Sequence, residues 1–493
     1  MKLYAAHQLD FYKVGHADQY PKGTESIYSN FTARSGKHSP VPNAKGIYYG
    51  GGQYLFKSFL IDLWQDTFFN QPKDLVIAKY IRRMSAGLSM NITANRLADL
   101  HDLGFLPIRI KSLPEGSFVP YKVPFMTMRE TISEFAWVSQ MLESVISNHI
   151  WPFINSMTIT AEFLRMYYKY AEMTGGNFDF VPYQTHDFSY RGMFGPQAAA
   201  MSGLAALMAG AEGTDTVPAL DAAEDYYGAG VYSGQSIPAT EHSVMCAGGE
   251  QYELETFVRL LTEVYPEGNV SIVSDTWNYW RVMQEFLPKL KPLILARKGT
   301  TVFRPDSGDP VNIICGVPFH SNELLRKGTY QHLWDLFGGT INEKGFKVLN
   351  PKVNMIYGDS ITLARQKEIL HKLYIKNFVP GMVLGNGSYV YQGNSTRDTH
   401  GLAIKATHVI IDGQPIEIFK DPATDGGTKK SLKGYIHVTK ENGEYVAIDQ
   451  VSEDMEERGL LETVFQDGEI IKETTLTEVR VNVKSNIMKQ LHS

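Results

Sequence analysis

The sequence predicts an α/β protein that contains a parallel β/α barrel and a second, largely antiparallel β-rich domain. Between about residues 177 and 390, short apolar strands alternate with helical segments, which is the pattern of a parallel sheet. The number of these repeats favours a closed barrel over an open sheet. After about Arg397 the chain changes to alternating strands, which indicates an antiparallel module that N-terminal strands complete.

The predicted domain boundaries follow these changes in pattern. We expect residues 1–180 to form the N-terminal part of the β-rich and helical domain, residues 181–390 the catalytic barrel, and residues 391–493 the C-terminal part of the β-rich domain. Over residues 134–172, apolar positions recur at helical spacing, and Pro152 predicts a break between two long helices.

Individual elements follow from apolar runs and the residues that end them. Outside the barrel, strands are expected at residues 27–33, 106–113, 118–129, 403–411 and 434–438. The expected barrel strands lie at residues 178–183, 270–273, 300–303, 353–357 and 379–384, and the expected barrel helices near residues 196–210, 250–265, 277–287, 322–337 and 360–373.

Composition is typical of a soluble globular protein with several domains. Hydrophobic residues make up 43% and charged residues 20% of the 493 positions. The net charge of −6 gives no reason to expect a nucleic-acid partner. Two cysteines, Cys246 and Cys315, are too few for a disulfide framework or a zinc site. No apolar run approaches the ~18 residues of a membrane span, so we expect a cytoplasmic protein without a membrane partner.

The loop after the strand at residues 300–303 carries the clearest chemistry. It has the sequence Arg304-Pro305-Asp306-Ser307-Gly308-Asp309-Pro310, in which the prolines and the glycine end any regular element. A guanidinium group binds phosphate oxygens through two parallel hydrogen bonds. Neighbouring carboxylates can hold ribose hydroxyls or the waters around a magnesium ion. By itself the loop is equally typical of a solvated turn with an internal ion pair.

Polar clusters also follow the other expected barrel strands. Each cluster alone is more typical of a helix cap or turn than of a ligand contact. On the same side of successive strands, however, such clusters form the active site of a barrel. The clusters are His186 to Gly192, Gly213 to Thr216, Ser236 to Ser243, Ser274-Asp275, Gly358 to Ser360 and Gly385 to Ser388.

The residue types in these clusters indicate a sugar that carries a phosphate and a diphosphate. Arginines suit phosphate groups, backbone N–H groups on a loop suit a terminal phosphate, and carboxylates suit ribose hydroxyls. The candidates are, respectively, Arg191, Arg304 and Arg397; Gly387 and Ser388; and Gly358, Asp306 and Asp359. His242 lies in a polar loop and can titrate near neutral pH, although a lone histidine is more often a structural hydrogen-bond donor.

Taken in order, these motifs resemble those of the nicotinamide phosphoribosyltransferases, the type II phosphoribosyltransferase family of NAD salvage. The matching motifs recur in family order from residue 10 to about residue 434. They include Asp10-Phe11-Tyr12-Lys13-Val14, His186-Asp187-Phe188, Tyr190-Arg191-Gly192, Gly213-Thr214-Asp215-Thr216, Glu241-His242-Ser243, Arg304-Pro305-Asp306-Ser307-Gly308 and Gly358-Asp359. The phosphate loop, Gly385-Asn386-Gly387-Ser388, has fewer glycines than the usual loop of the family.

The resemblance implies a barrel of the type II phosphoribosyltransferase kind and a definite reaction. Phosphoribosyl would pass from 5-phosphoribosyl 1-diphosphate to nicotinamide, giving nicotinamide mononucleotide and diphosphate. Mg²⁺ would bind through the substrate diphosphate, without direct protein ligands. By resemblance, Arg191, His242 and Arg304 serve the diphosphate, Gly387, Ser388 and Arg397 the 5′-phosphate, and Gly358, Asp306 and Asp359 the ribose, with His242 and Asp306 as catalytic residues.

The resemblance also implies how the pyridine is bound. The ring would lie next to Arg191, between Phe188 of one subunit and Tyr12 of the partner subunit. Because each site would use residues of both subunits, a homodimer with shared active sites would be necessary. Without the motifs, both aromatics would be interpreted as core residues. The Asp215 carboxylate would accept the amide N–H of nicotinamide and repel nicotinate. His242 matches the family histidine that is phosphorylated when ATP, an accessory substrate, is hydrolysed.

Two alternatives stay open at the level of sequence. Nicotinate phosphoribosyltransferase shares the barrel and most phosphate contacts, but Asp215 and the pair Tyr12 and Phe188 argue against it. A catalytically inactive relative that acts as a binding or signalling protein is the other alternative, and the intact arginine, aspartate and histidine positions argue against it.

Overall fold

The computed structural model describes residues 3–393, 395–421 and 430–492. It divides the chain into two compact units. A β-rich unit comprises Met1–Thr158, Ala222–Ala229 and Ser395–Asn486, and a barrel unit comprises Ile159–Asp221, Gly230–Asn394 and Ile487–Ser493.

The strands of both units are numbered in chain order. They are β1 (Thr24–Thr32), β2 (Gly46–Tyr48), β3 (Ile108–Ser112), β4 (Phe118–Pro120), β5 (Pro124–Glu130), β6 (Thr185–Asp187), β7 (Gly213–Thr214), β8 (Val270–Val273), β9 (Thr301–Arg304), β10 (Gly339–Ile341), β11 (Lys347–Leu349), β12 (Val353–Tyr357), β13 (Val383–Asn386), β14 (Ala403–Ile411), β15 (Gln414–Glu417), β16 (Tyr435–Glu441), β17 (Glu444–Val451), β18 (Glu462–Gln466) and β19 (Glu469–Ile470).

The helices of the described ranges are mostly short, apart from a few long ones. The α-helices are His16–Gln19, Gly52–Leu55, Lys73–Leu88, Asn95–Leu103, Val138–Met141, Glu143–Thr174, Pro196–Ala209, Val217–Tyr227, His242–Cys246, Glu253–Arg259, Tyr279–Arg281, Leu287–Ala296, Pro310–Cys315, Glu323–Phe337, Leu363–Ile375, Ser388–Gln392, Glu453–Glu457 and Leu476–His492. Stretches with π-type hydrogen bonds continue some of them, at Phe56–Leu63, Gln65–Phe69, Leu260–Val264 and Val282–Phe286. None of these helices is both long enough and apolar enough to cross a membrane.

A seven-stranded sheet organises the β-rich unit, in the order β15-β14-β1-β5-β3-β18-β19. All of its strand pairs are antiparallel. N-terminal strands pair with C-terminal ones: β1 pairs with β14 from Thr24 opposite Ile411 to Thr32 opposite Ala403, and β3 pairs with β18. The prediction of an antiparallel module built from both ends of the chain is confirmed.

The barrel unit is built on six parallel strands in the order β7-β6-β13-β12-β9-β8. Its two edge strands are each joined to the segment 235–239 by one isolated parallel bridge, Gly213 to Gln235 and Ala239 to Ser271. The segment 235–239 therefore joins the two edge strands and closes the barrel. Around the barrel, the strands and this segment follow one another in the order in which they occur in the chain. The predicted β/α barrel is confirmed in this form.

Apolar burial holds the barrel helices against the strands. All four residues of β8 are buried, and its three apolar residues share a core with the fully buried Phe257, Phe303 and Ile294. Burying one such side chain contributes about 1.5–3 kcal/mol. The helix Pro196–Ala209 is buried along most of its length. It begins with proline, which fits the first helical turn, and stops at Gly210, whose φ of 103° suits glycine.

Three sequence-based predictions about elements are wrong. The strand expected at 118–129 is two strands, β4 and β5, which belong to different sheets. Pro152 does not separate two helices, because the helix Glu143–Thr174 runs through it. Phe153, Ile154 and other neighbours are fully buried, and that packing outweighs the roughly 3 kcal/mol that a proline costs inside a helix. The strand expected at 178–183 is a turn followed by a 3₁₀ helix. The real strand, β6, consists of three buried polar residues, of which only Thr185 has a high β-propensity.

Candidate active site

The carboxyl ends of the parallel strands bring the predicted barrel residues to one rim. Phe188 and Arg191 follow β6, Asp215 follows β7, and Asp306 follows β9. Gly358 and Asp359 follow β12, and Gly387 and Ser388 follow β13. Because neighbouring parallel strands end on the same side of a sheet, residues from distant parts of the sequence are adjacent here.

The loop after β9 is fixed by hydrogen bonds from beneath. The carboxylate of Asp275 accepts hydrogen bonds from the backbone N–H of Asp306, at 2.8 Å, and from the hydroxyl of Ser307, at 2.6 Å. The buried Tyr357 donates to two loop carbonyls, each at 2.9 Å. These bonds hold Arg304 and Asp306 in place, and Nη2 of Arg304 lies 3.6 Å from Oδ2 of Asp306.

The protein uses only part of the hydrogen-bonding capacity of the Arg304 guanidinium, which is itself partly exposed. Its side chain is 17% exposed. Within residues 3–393, 395–421 and 430–492, the buried Nε of Arg304 has no hydrogen-bond partner. A cation that is held at a rim and incompletely satisfied by protein attracts an anionic ligand.

His242 lies beside the same aspartate. Its Nε2 atom is 3.3 Å from Oδ1 of Asp275, whose side chain is only 2% exposed, while the imidazole itself is 49% exposed. The contact is a charge pair and not a hydrogen bond, since the buried Oδ1 of Asp275 has no hydrogen-bond partner among the residues that the structure describes. Asp275 thus links the His242 helix to the Arg304 loop.

Phe188 rests on a floor of glycine backbone. A Cβ atom added to Gly385 would lie 2.2 Å from the Phe188 ring, and one added to Gly358 would lie 3.3 Å from it. The Arg304 guanidinium stands 5.3 Å from the ring centroid, within cation–π distance. Phe188 is therefore held as an aromatic platform at the rim. Gly385 and Asn386 belong to β13, so only Gly387 and Ser388 of the predicted phosphate loop lie beyond the strand.

Asp215 is oriented by two donors. Its Oδ1 atom lies 2.9 Å from Nε2 of His186 and accepts a hydrogen bond of 2.6 Å from the hydroxyl of Ser236. Partial burial by itself raises the pKa of Asp215, but the hydrogen bonds and charge of His186, with Ser236 and Arg304, outweigh it and lower the pKa below its ordinary value. Asp215 is therefore ionised at neutral pH.

Arg191 and Ser388 come from neighbouring loops. Arg191 is exposed on a 3₁₀ turn, Tyr190–Gly192. The Ser388 side chain packs against Gly192, where an added Cβ would lie 2.1 Å from its Oγ. The structure thus brings the arginine and the start of the Ser388 helix together. Asp359 is exposed, and it accepts a hydrogen bond from Ser360.

Tyr12 and Arg397 belong to the β-rich unit. Tyr12 is 62% exposed, and its hydroxyl donates to Asp10 at 3.2 Å. In the same unit, a cavity of about 250 Å³ is lined by the cations Arg34, Lys122, Lys405 and Lys430 with a single carboxylate, Asp449. Burial lowers the pKa of Lys405, and the neighbouring cations, Arg397 among them, lower it further. Arg397 therefore stands near a concentration of positive charge.

Sequence reasoning assigned no role to Asp275, His186 or Ser236, although each lies in a recognised polar cluster. The sequence shows that these residues lie in polar clusters, but it does not show which of their side chains are in contact. The basic cavity was missed because its cations come from distant segments. In the described part of the chain, no group of three or more His, Cys, Asp or Glu side chains is arranged to hold a metal ion.

The fold and the rim define a class, the type II barrel phosphoribosyltransferases. Residues 183–469 match the nicotinate phosphoribosyltransferase (NAPRTase) family model, and the chain belongs to that family. It is 46% identical over 483 residues to the nicotinamide phosphoribosyltransferase of Acinetobacter baylyi, covering 96% of this chain and 95% of that protein. It is 32% identical over 440 residues to the enzyme of that name from Mycoplasma pneumoniae, covering 86% and 93%.

Two solved structures share the fold. Nicotinate-nucleotide pyrophosphorylase from Pyrococcus furiosus superposes with a TM-score of 0.58 at 16% identity, covering 98% of this chain and 95% of that one. Human nicotinic acid phosphoribosyltransferase superposes with a TM-score of 0.56 at 13% identity, covering 97% and 93%. The predicted family, fold class and enzyme class are confirmed by these comparisons.

Proposed function

We propose that this enzyme transfers phosphoribosyl from 5-phosphoribosyl 1-diphosphate to nicotinamide, giving nicotinamide mononucleotide and diphosphate in NAD salvage. The observation that carries the proposal is the meeting of Arg304, Asp306, Phe188 and Asp215 at one rim of a phosphoribosyltransferase barrel. The sugar donor requires a guanidinium for its phosphates and a carboxylate for its ribose hydroxyls. Nicotinamide requires an aromatic ring to stack on and an acceptor for its amide N–H.

The proposed reaction needs positioning and charge neutralisation more than acid–base chemistry. Departure of diphosphate leaves an oxocarbenium-like ribose, which the ring nitrogen of nicotinamide attacks. Arg304 and Arg191 offset the charge on the leaving group, and Asp306 and Asp359 hold the ribose hydroxyls. By resemblance to the family, Gly387, Ser388 and Arg397 are the candidates for binding the 5′-phosphate.

Mg²⁺ is proposed to arrive with the diphosphate. The carboxylates of Asp306 and Asp359 at the rim fit this arrangement, since hard cations that keep their waters need few protein oxygens. When bound, the ion would supply charge neutralisation on the leaving group. Asp306 contributes by holding the ribose, and the hydrogen bond from its backbone to Asp275 fixes its place.

The choice of nicotinamide over nicotinate is proposed to rest on Asp215. An ionised carboxylate attracts an amide N–H and repels the carboxylate of nicotinate. Steady-state turnover of each pyridine with 5-phosphoribosyl 1-diphosphate tests both the function and this residue. We expect wild type to prefer nicotinamide and Asp215→Ser to lose most of that preference. Preference for nicotinate in wild type would instead support the alternative, nicotinate phosphoribosyltransferase.

ATP is proposed as an accessory substrate that phosphorylates His242. The imidazole is half-exposed and lies 3.3 Å from the buried carboxylate of Asp275, and an accessible neutral imidazole is a competent phosphoryl acceptor. Phosphohistidine adds negative charge next to the donor site and would improve retention of the sugar donor through Mg²⁺. We expect His242→Ala to lose ATP stimulation but keep residual synthesis without ATP. Equal stimulation in the variant and wild type would exclude the role.

A homodimer with shared active sites is proposed to supply Tyr12. Tyr12 is exposed and anchored by Asp10, so its ring is available to a second molecule. Tyr12→Ala and Phe188→Ala should each be nearly inactive alone. After unfolding and refolding together, a shared site predicts recovery of up to about a quarter of wild-type activity, because mixed dimers contain one intact site. Absence of recovery from folded, mixed dimers would contradict sharing. Cytoplasmic location and the lack of a nucleic-acid partner stay predictions.

A further inference from the structure

The Asp215 carboxylate is engaged on one oxygen only. Oδ1 contacts Nε2 of His186 at 2.9 Å and the hydroxyl of Ser236 at 2.6 Å. For Oδ2, the described ranges of the chain provide no donor, and the Asp215 side chain is 42% exposed. One oxygen is thus satisfied by protein, and the other is open to a ligand.

His186 is locked in this arrangement by its surroundings. It lies on β6 and is buried, with its ring 4.5 Å from the Phe188 ring, centroid to centroid. A Cβ atom on Gly213 would lie 2.6 Å from Nδ1 of His186, so glycine at that position makes room for the imidazole. Because Nε2 faces a carboxylate, that nitrogen carries the proton and acts as the donor.

Ser236 is held from the other side of Asp215. The backbone N–H of the preceding residue, Gln235, donates to the backbone carbonyl of Glu212 at 2.7 Å. The backbone carbonyl of Gln235 accepts a hydrogen bond from the backbone N–H of Thr214 at 3.0 Å. These bonds tie Ser236 to the barrel wall next to β7. Two rigidly mounted donors therefore converge on the same carboxylate oxygen.

We propose that His186 and Ser236 are positioning residues that set the substrate class of this site. By occupying Oδ1 of Asp215, they leave Oδ2 as the single acceptor, which selects a pyridine whose ring substituent donates an N–H. The inference rests on the proposed function of the enzyme. It adds that a neutral pyridine without such a donor is a poor substrate, even though no charge repels it.

The loss of these donors has a definite chemical consequence. Without His186, partial burial is opposed by fewer interactions, and the pKa of Asp215 is lowered less. The carboxyl group also becomes free to rotate. A misdirected Asp215 no longer discriminates an amide from a carboxylate, so selectivity falls while the binding of the sugar donor is preserved.

The test compares three pyridines: nicotinamide, nicotinate and methyl nicotinate, which is neutral but has no N–H donor. Wild type should use methyl nicotinate at least about tenfold less efficiently than nicotinamide, because a hydrogen bond to a charged group is lost. His186→Leu and Ser236→Ala should lower the nicotinamide-to-nicotinate ratio of kcat/KM by about tenfold or more. His186→Gln, which keeps an N–H, should retain most of the ratio. KM for 5-phosphoribosyl 1-diphosphate should change little.

A double variant separates positioning from a general structural effect. If His186 acts through Asp215, adding His186→Leu to Asp215→Ser should not change the pyridine ratio further. An unchanged ratio in His186→Leu, an equal fall in the Asp215→Ser background, or equal use of methyl nicotinate and nicotinamide by wild type would overturn the proposal. Failure of wild type to form mononucleotide from nicotinamide is a different result, because it refutes the proposed function itself.

Discussion

Gly385→Ala is the most direct test of the aromatic platform at the rim. The added Cβ atom would lie 2.2 Å from Cδ2 and 2.6 Å from Cε2 of Phe188, and 2.9 Å from Cα of Gly358. Carbon atoms in contact are normally about 3.5–4.0 Å apart. The Phe188 ring must therefore move by more than about 1 Å, since the other obstacle is backbone.

Two effects of different size follow from that displacement. Overpacking costs about 1–3 kcal/mol of stability. A platform that is misplaced by about 1 Å can cost as much as ~100-fold in rate, because the pyridine is no longer aligned with the ribose carbon. We therefore expect kcat/KM for the pyridine to fall by about 10- to 100-fold, with a moderate loss of thermal stability.

Initial rates at varied pyridine and sugar-donor concentrations, with thermal unfolding followed by circular dichroism, measure both effects. Gly230→Ala is the matched control, because no atom lies within 4 Å of its added Cβ and its φ is not positive. That variant should behave like wild type. If Gly385→Ala keeps the pyridine kcat and KM within about twofold of wild type, Phe188 is not a platform for the ring.

The remaining predictions concern buried polar groups. Tyr357→Phe removes both hydrogen bonds to the Arg304 loop and should raise KM for the sugar donor and lower the unfolding free energy by about 1–3 kcal/mol; unchanged values would contradict the anchoring role. Burial raises the pKa of Glu253 to about 7, so its contribution to stability falls as the pH rises from about 4.5 to 7. In urea denaturation, the unfolding free energy of Glu253→Gln minus that of wild type should therefore increase by about 2 kcal/mol between pH 5 and pH 8. A difference that does not change with pH would refute this. Lys111→Met leaves the buried Glu456, 3.0 Å away, without its partner and should cost about 3–5 kcal/mol, whereas a loss below about 1 kcal/mol would mean that the pair is solvated.

Much of the barrel could be predicted because its strands are apolar and its helices end in clear signals. The strands Val270–Val273 and Val353–Tyr357 have the predicted bounds, since each is mostly apolar and is flanked by polar residues or glycine. The strand Thr185–Asp187 could not be found in this way. Its residues are polar yet buried, and its place in the sheet comes from pairing with β7 and β13.

The site could be predicted as a set of loops but not as a set of contacts. Arg304 and Asp306 were identifiable because they lie at and just beyond the end of a predicted strand, whereas Asp215 was assigned from its match to a family motif. That Asp275 holds the Arg304 loop depends on the direction of side chains across neighbouring strands, which no spacing in the sequence encodes. Gly385 shows the same limit, because its role beneath Phe188 follows from a contact between two strands distant in sequence.

The side of the barrel at residues 235–239 is tied to its neighbours by one bridge on each flank instead of a full ladder. Pro238, in the middle of it, has no N–H to donate. The segment therefore makes few main-chain hydrogen bonds to the strands on either side of it, and these bonds do not involve its side chains. Ser236 lies in this segment, so under the proposed positioning role a substitution of its side chain would change which pyridine is accepted and would leave the main-chain bonds of Gln235 and Pro238 in place.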